Sequence, residues 1–251
     1  MTRRPEELGG AVVPGRRAVV ELVRARRRRV RWVSLARGGA AVDEVAALAA
    51  SAGIETRWRD PDQLRDEAGV ESAQGVVAHA DALAPVPLAG LLDARDAFLV
   101  ALDGVTDPQN LGAVLRSAAA AGATGAVLPR RRAALLTPAA MKAAAGAAEH
   151  LPVALVGGIA GALEQAERAD VWTVGLDARG DTTVYDLAVA DRPLVLVLGA
   201  EGSGLARLVR QRCDVVASVP MPGPTESLNV AAAAAVACFE VARQRGGPAR
   251  R

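Results

Sequence analysis

The apolar positions of this chain change pattern along its length. From Phe98 onward, short runs that are apolar at every position, such as Phe98-Leu-Val-Ala-Leu and Leu194-Val-Leu-Val-Leu, are separated by alanine-rich stretches carrying scattered charges. Runs of that length, with β-branched residues and no polar alternation, read as strands buried on both faces. Strands near Phe98, Ala126, Val153, Val171, Leu194 and Val215, with helices between them, predict an α/β domain over residues 96–246, a parallel sheet covered on both sides. Upstream, over residues 14–80, the pattern predicts a smaller α/β unit: a helix at 16–28, a strand at 30–35, a helix at 42–51, a strand at 54–58, then a helix and a strand at 75–79. The proline-containing stretch 81–95 reads as a linker, and residues 1–13 and 247–251 as flexible tails.

Two loops of the larger unit carry candidate chemistry. Gly199 ends the run at Leu194, and Gly202 and Gly204 keep the following turn free of side chains. The run at Val215 is stopped by Pro220, Pro222 and Pro224, which cannot donate ladder hydrogen bonds and stiffen the loop. Ser227 then stands where the N-cap of a long alanine-rich helix is expected. Loops leaving the ends of adjacent strands form the crevice in which open α/β sheets bind ligands. Their backbone groups can read an adenine edge without charged side chains, so an adenosine-sized pocket is expected here.

A second segment, Asp103-Gly-Val-Thr-Asp-Pro-Gln-Asn-Leu-Gly-Ala-Val-Leu-Arg, follows the strand at Phe98. Asn110 reads as the cap of a helix on which Gly112 and Arg116, four apart, share a face. Gly112 would leave that face open for a substrate backbone and Arg116 would project beside it. Asp103, Thr106 and Asp107 read as loop and cap residues.

In order, Asn110-x-Gly112-x-x-x-Arg116, Gly199-x-Glu201-x-x-Gly204 and Pro220-Met221-x-Gly223-x-x-x-Ser227-Leu228-Asn229 resemble the three motifs of the SpoU/TrmH family. That resemblance implies transfer of a methyl group from S-adenosylmethionine to a ribose 2′-hydroxyl in RNA. The bacterial branch acting on a guanosine of 23S ribosomal RNA is most similar, with transfer-RNA guanosine and the adenosine target of thiostrepton-resistance enzymes behind it. It further implies a SPOUT fold with a deep trefoil knot, a small N-terminal RNA-binding domain and a homodimer. Carried over by motif, Arg116 stabilises developing alkoxide charge, because an arginine stays protonated and cannot serve as a base. Asn110 and Asn229 orient the ribose and Arg116, Glu201 holds the arginine or the glycine loop, and Ser227 fixes the helix start. Cofactor contacts fall on Gly199, Val219, Met221 and Leu228. Two departures from the pattern are Ala73, where close relatives carry histidine, and Ala231, where serine is usual. A non-catalytic RNA-binding protein and a dinucleotide-binding oxidoreductase are alternatives. The latter fits poorly, since Gly199-x-x-Gly202-x-Gly204 lacks the Gly-x-Gly-x-x-Gly spacing.

Composition adds little until its distribution is considered. The chain has 251 residues and a formal net charge of only +2. Residues 1–40 hold eleven arginines against three acids, a net +8 that leaves −6 elsewhere, and the cluster from Arg24 to Arg31 suits a phosphate backbone. With 2% aromatic residues, RNA would be gripped mainly through phosphates, 2′-hydroxyls and shape. Cys213 and Cys238 form no metal or disulfide pattern, and His79 and His150 stand alone, so no metal is expected. A charged N-terminus without an apolar core, and no apolar window long enough to span a bilayer, lead to a cytoplasmic expectation without membrane attachment.

Overall fold

The computed structural model describes residues 7–131, 133–225 and 227–246. It divides into two compact units. One comprises the chain up to Pro85 together with Leu111–Arg116 and Leu135–His150, and the other comprises Val86–Asn110, Ser117–Ala134 and the chain from Leu151 onward.

The first unit runs β1 (Val12–Pro14), α1 (Arg16–Ala25), β2 (Val30–Ala36), α2 (Ala40–Ser51), β3 (Glu55–Arg59), α3 (Pro61–Ala68) and β4 (Val76–Ala80). Its sheet has the order β1-β4-β2-β3, with β2 and β3 parallel and the other two pairs antiparallel. The start of α3 is written in the sequence Asp60-Pro-Asp-Gln. Asp60 accepts from the backbone N–H of Asp62 and Gln63, the Gln63 side chain accepts from the Asp60 N–H, and Pro61 occupies the first turn.

Two expectations fail in this unit. Residues 7–13 are not a tail: Leu8 is buried, Gly9 bridges to Leu136, and β1 pairs with β4. The remaining tail residues, 1–6 and 247–251, lie outside the described residues. Helix α1 stops at Ala25, where Arg26 turns left-handed at φ 51°, rather than continuing to residue 28. Within the arginine cluster one member, Arg28, is structural, and the other five are exposed. Arg28 is buried against Glu149 (Nη2 to Oε1 2.5 Å, Nε to Oε2 3.1 Å) and also donates to the carbonyls of Gly10 and Asp81. Arg27 donates to the Glu149 carbonyl, Arg31 pairs with Asp81 and Arg24 with Glu21. The side chains of Arg26 and Arg29 remain exposed, without a hydrogen bond or ion pair among the described residues. The histidines also have partners: His79 stacks on Trp32, and His150 contacts Glu21. Ala73 is buried in a small core with Leu64, Ala68 and Val77.

Beyond β4 come α4 (Leu88–Leu92), β5 (Phe98–Asp103), α5 (Pro108–Ala120), β6 (Gly125–Pro129), α6 (Pro138–Ala144), β7 (Val153–Val156), α7 (Ile159–Arg168), β8 (Trp172–Leu176), β9 (Thr182–Thr183), β10 (Leu194–Gly199), α8 (Arg207–Gln211), β11 (Val215–Ser218) and α9 (Val230–Gln244). The stretch expected to be a linker contains α4, whose leucines are core residues. Helix α6 groups with the first unit although it lies deep within the 96–246 span. The sheet of the second unit is parallel throughout, in the order β7-β6-β5-β10-β8-β11-β9. The chain steps outward from β5 to β6 and β7, returns to β8, and later inserts β10 between β5 and β8. Loops at the carboxyl ends of these strands therefore diverge, which opens a crevice.

Leu194–Leu198 of β10 are all buried, as expected for a strand covered on both faces. Val195 and Val197 meet Leu99 and Ala101 under α4, α7 and α8, while α9 packs on β10 with Val230, Ala234, Ala237, Cys238 and Val241 buried. Truncating any of these buried leucines to alanine would cost about 2–5 kcal/mol. The far end of α9 is held by Arg245, which donates to the backbone carbonyls of Asp96, Ala97, Ala190 and Arg192 and lies over the Phe98 ring. Among the described residues no helix is long and apolar enough to cross a membrane, and no group of three or more His, Cys, Asp or Glu side chains could hold a metal ion.

Candidate functional site

A cavity of about 760 Å³ opens at the carboxyl ends of β8, β10 and β11, wholly within the second unit. Its walls are mostly loop residues. The turn after β10 folds back on itself: the Ala200 N–H donates to the Gly204 carbonyl and the Gly204 N–H to the Ala200 carbonyl. Gly202 and Gly204 adopt φ of 77° and 66°, a conformation that L side chains resist. At Gly199 the constraint is space, since a Cβ there would lie 2.2 Å from the Gly204 carbonyl carbon. Asp103, at the end of β5, accepts from the Ala206 N–H (2.7 Å) and so pins the exit of the same turn.

All four residues expected to contact a cofactor, Gly199, Val219, Met221 and Leu228, line this cavity, as do Glu201, Ser227 and Asn229. At its rim three side chains form a closed network. Asn229 Nδ2 donates to Glu201 Oε1 (2.5 Å) and to Asn110 Oδ1 (3.0 Å), and Asn110 Nδ2 donates to the same Glu201 oxygen (3.1 Å). One carboxylate oxygen thus collects two amide donors, and residues from three sequence motifs come together. Glu201 holds the two asparagines, and no bond from it to Arg116 is formed among the described residues.

The helix starts differ from expectation. Asp107, one of the residues expected in a loop or cap, caps α5 in place of Asn110 by accepting from the Gln109 N–H (3.0 Å), and Asn110 sits one turn in, free to reach Glu201. Asn229, not Ser227, caps α9: its Oδ1 accepts from the Ala231 N–H (2.8 Å) while its Nδ2 serves the network. Ser227 is exposed two residues earlier, and the position of Ala231 contributes its backbone rather than a side-chain contact. The face at Gly112 is not open to a substrate. A Cβ there would meet the Ala140 carbonyl oxygen at 2.3 Å and the Ala144 nitrogen at 2.8 Å, so glycine permits the close crossing of α5 and α6. Arg116 is exposed on α5, without a hydrogen bond or ion pair among the described residues, and it groups with the first unit rather than with the cavity residues.

Sequence reasoning passed over Asp177 and Arg179, which also line the cavity. Asp177 follows β8 directly; its nearly buried carboxylate accepts from the Arg179 N–H (2.9 Å) and pairs with Arg210 (3.1 Å). An aspartate just past a buried strand, in Asp-Ala-Arg-Gly, is a weak signal that only the strand order turns into a site residue.

The profile of the SpoU rRNA Methylase family matches residues 97–239, a span that includes every cavity motif, and a profile described as RNA 2′-O ribose methyltransferase substrate binding matches residues 12–86. This chain belongs to the SpoU rRNA methylase family. Among SpoU relatives, a protein of Mycobacterium ulcerans described as an uncharacterised tRNA/rRNA methyltransferase is 52% identical over 168 residues, covering 67% of this chain and 53% of that protein. A similarly described protein of Mycolicibacterium smegmatis is 44% identical over 212 residues, covering 81% and 66%. The chain thus spans about half to two thirds of the length of these curated relatives. The SpoU methyltransferase AviRb of Streptomyces viridochromogenes, solved in complex with the cofactor AdoMet, is 29% identical, with a TM-score of 0.78 over 93% of this chain and 90% of AviRb. Fold class, topology and motif order therefore agree with the SpoU assignment.

Proposed function

We propose that this chain transfers a methyl group from S-adenosylmethionine to a ribose 2′-hydroxyl of RNA. The observation that carries this reading is the cavity at the ends of β8, β10 and β11, walled by loop residues and bordered by a network from all three sequence motifs. The donor set fits the cofactor. Backbone groups around Gly199, Val219, Met221 and Leu228 suit an adenine edge and ribose, and the Glu201 carboxylate suits a ligand carrying ammonium and sulfonium charge. When bound, S-adenosylmethionine supplies an electrophilic methyl group. AviRb, of the same family and similar in structure, binds that cofactor.

In this reading the protein's work is positioning and electrostatics. A ribose hydroxyl is a poor nucleophile, so holding it in line contributes much of the rate. Arg116 stabilises charge developing on the 2′-oxygen and lowers the hydroxyl's effective pKa, and the proton leaves to water or a phosphate oxygen. Asn110 and Asn229, locked by Glu201, orient the sugar. Since Arg116 has no partner of its own among the described residues, its guanidinium is available to RNA.

The preferred substrate is a guanosine of 23S ribosomal RNA. Transfer RNA is the second reading, favoured by relatives described as tRNA/rRNA methyltransferases. A homodimer belongs to the proposal, supported by Phe239 on α9 and Tyr185, both about half exposed. The knot of the C-terminal segment and a cytoplasmic location remain implications of the family likeness. The test is incubation of the purified chain with deuterated S-adenosylmethionine and separate in vitro transcripts of 23S RNA, 16S RNA and transfer RNAs, followed by mapping of labelled positions. Label confined to one 23S guanosine supports the full reading; label only in transfer RNA overturns the ribosomal choice.

A further inference from the structure

The sheet of the first unit carries a row of stacked planar groups that neither the fold nor the cavity uses. Trp32 on β2 stacks on His79 of β4, with ring centroids 4.5 Å apart and planes 20° apart. The Arg57 guanidinium lies 4.1 Å from the Trp32 ring centroid. Strand β2 lies between β4 and β3, so His79 reaches the indole from one side and Arg57 from the other. The groups run across the strands as His79, Trp32, Arg57.

Both ends of the row are held. At the inner end, Glu67 of α3 meets His79 Nε2 at 3.3 Å and is itself fixed by the Ser34 hydroxyl and Arg59. At the outer end, Glu55 holds Arg57 at two points, Nε to Oε1 at 2.8 Å and Nη2 to Oε2 at 3.2 Å, which sets the orientation of the guanidinium plane. The two ends differ in what lies beyond them. Strand β3 is the edge of its sheet, so no further strand of that sheet covers the outer face of Arg57, whose side chain is 34% exposed. A planar cation lying over an indole, held by a carboxylate and partly exposed at a sheet edge, is a surface for another flat π-system. Arginine planes stack on unpaired bases in this way in RNA recognition.

We infer that the outer face of Arg57 is a stacking site for an unpaired nucleobase, continuing the His79–Trp32–Arg57 row by one layer. This inference rests on reading the chain as an RNA-modifying enzyme, and it assigns the first unit a base contact where composition pointed to phosphates, 2′-hydroxyls and shape. The site reads a flat face rather than a base edge, so it accepts any base and favours the larger purines. Arg37, whose guanidinium lies 5.9 Å from the ring centre of exposed Trp58 on the same strand, has no ion pair among the described residues and offers charge to a phosphate chain near that edge.

The test uses fluorescence anisotropy with two labelled probes, an adenosine 12-mer RNA and an abasic 12-mer with the same phosphates. The wild-type chain should bind the adenosine probe about five- to tenfold more tightly, the lower part of the range for one stacked base. R57K keeps the charge and loses the plane. It should lose most of that preference while its affinity for the abasic probe and its dependence on salt stay unchanged. Equal wild-type affinity for the two probes, which requires no variant to fold, overturns the inference. So does an R57K chain that retains the preference. Titration with S-adenosylmethionine separates this from the activity: a chain that binds the cofactor but shows no base preference refutes the stacking site alone, and one that fails to bind it refutes the methyltransferase reading.

Discussion

Asn229 performs two tasks with one amide, and substitutions can separate them. Its oxygen caps α9 and its nitrogen serves Glu201 and Asn110. N229A removes both, and loss of the cap should cost about 1 kcal/mol. The network bonds are exposed, so water replaces most of their worth, and the melting temperature should fall by roughly 2–4 °C for a chain of this size. N229D keeps a capping oxygen at a helix N-terminus but places a second carboxylate beside Glu201, where the bond is now 2.5 Å. At a relaxed separation of about 4 Å in solvent, that repulsion is worth roughly 1 kcal/mol and is screened by salt. Thermal melts at low and high salt should therefore show N229D recovering stability with salt and N229A not doing so. E201Q should rescue N229D and leave N229A unrescued. Both single variants should lose methyl transfer, because neither offers the amide donor. An unchanged melting temperature in N229A, or no rescue of N229D by E201Q, would refute the division of roles.

Breaking the buried pair on one side, by R28M or E149Q, should destabilise the chain by about 3–5 kcal/mol in urea titrations, while the double variant R28M/E149L recovers much of the loss. G199A, whose Cβ would meet backbone 2.2 Å away, should abolish S-adenosylmethionine binding measured by calorimetry, and a cofactor affinity equal to wild type would show that the turn can yield. Burial pushes the thiols of Cys213 and Cys238 up to about 12, so neither should react with a thiol reagent near pH 8 in the folded chain. The unfolded thiols lose their protons near 9 and the folded ones do not, so this contribution to stability is intact below about pH 9 and lost as pH rises toward 12. The double variant C213A/C238A should flatten that alkaline decline.

The second unit was the more legible, for a physical reason. A strand buried on both faces must be apolar at every position, so Leu194–Leu198 and Phe98–Leu102 declare themselves, and the glycine and proline loops after them mark the cavity. Strand β1 escaped notice because three residues at a sheet margin carry too little pattern. Arg28 could not be told apart from its exposed neighbours for another reason: charge is visible in a sequence, but Glu149, which buries it, lies 121 residues away. Gly112 was read as space for a ligand because a missing side chain looks the same whether a substrate or a helix fills the gap. The caps at Asp107 and Asn229 were misplaced by two or three residues, since these segments contain several residues able to cap. The meeting of Asn110, Glu201 and Asn229 was foreshadowed by their motifs, but their mutual bonds require the strand order that brings the ends of β5 and β10 together.

Whether this cavity methylates ribose is decided most directly by digesting RNA exposed to the chain and deuterated S-adenosylmethionine to nucleosides and weighing the products. The deuterated methyl is expected on a 2′-O-methylribonucleoside, lost in R116A while that variant still binds the cofactor. Label on a base, or R116A working as well as the wild type, would contradict this.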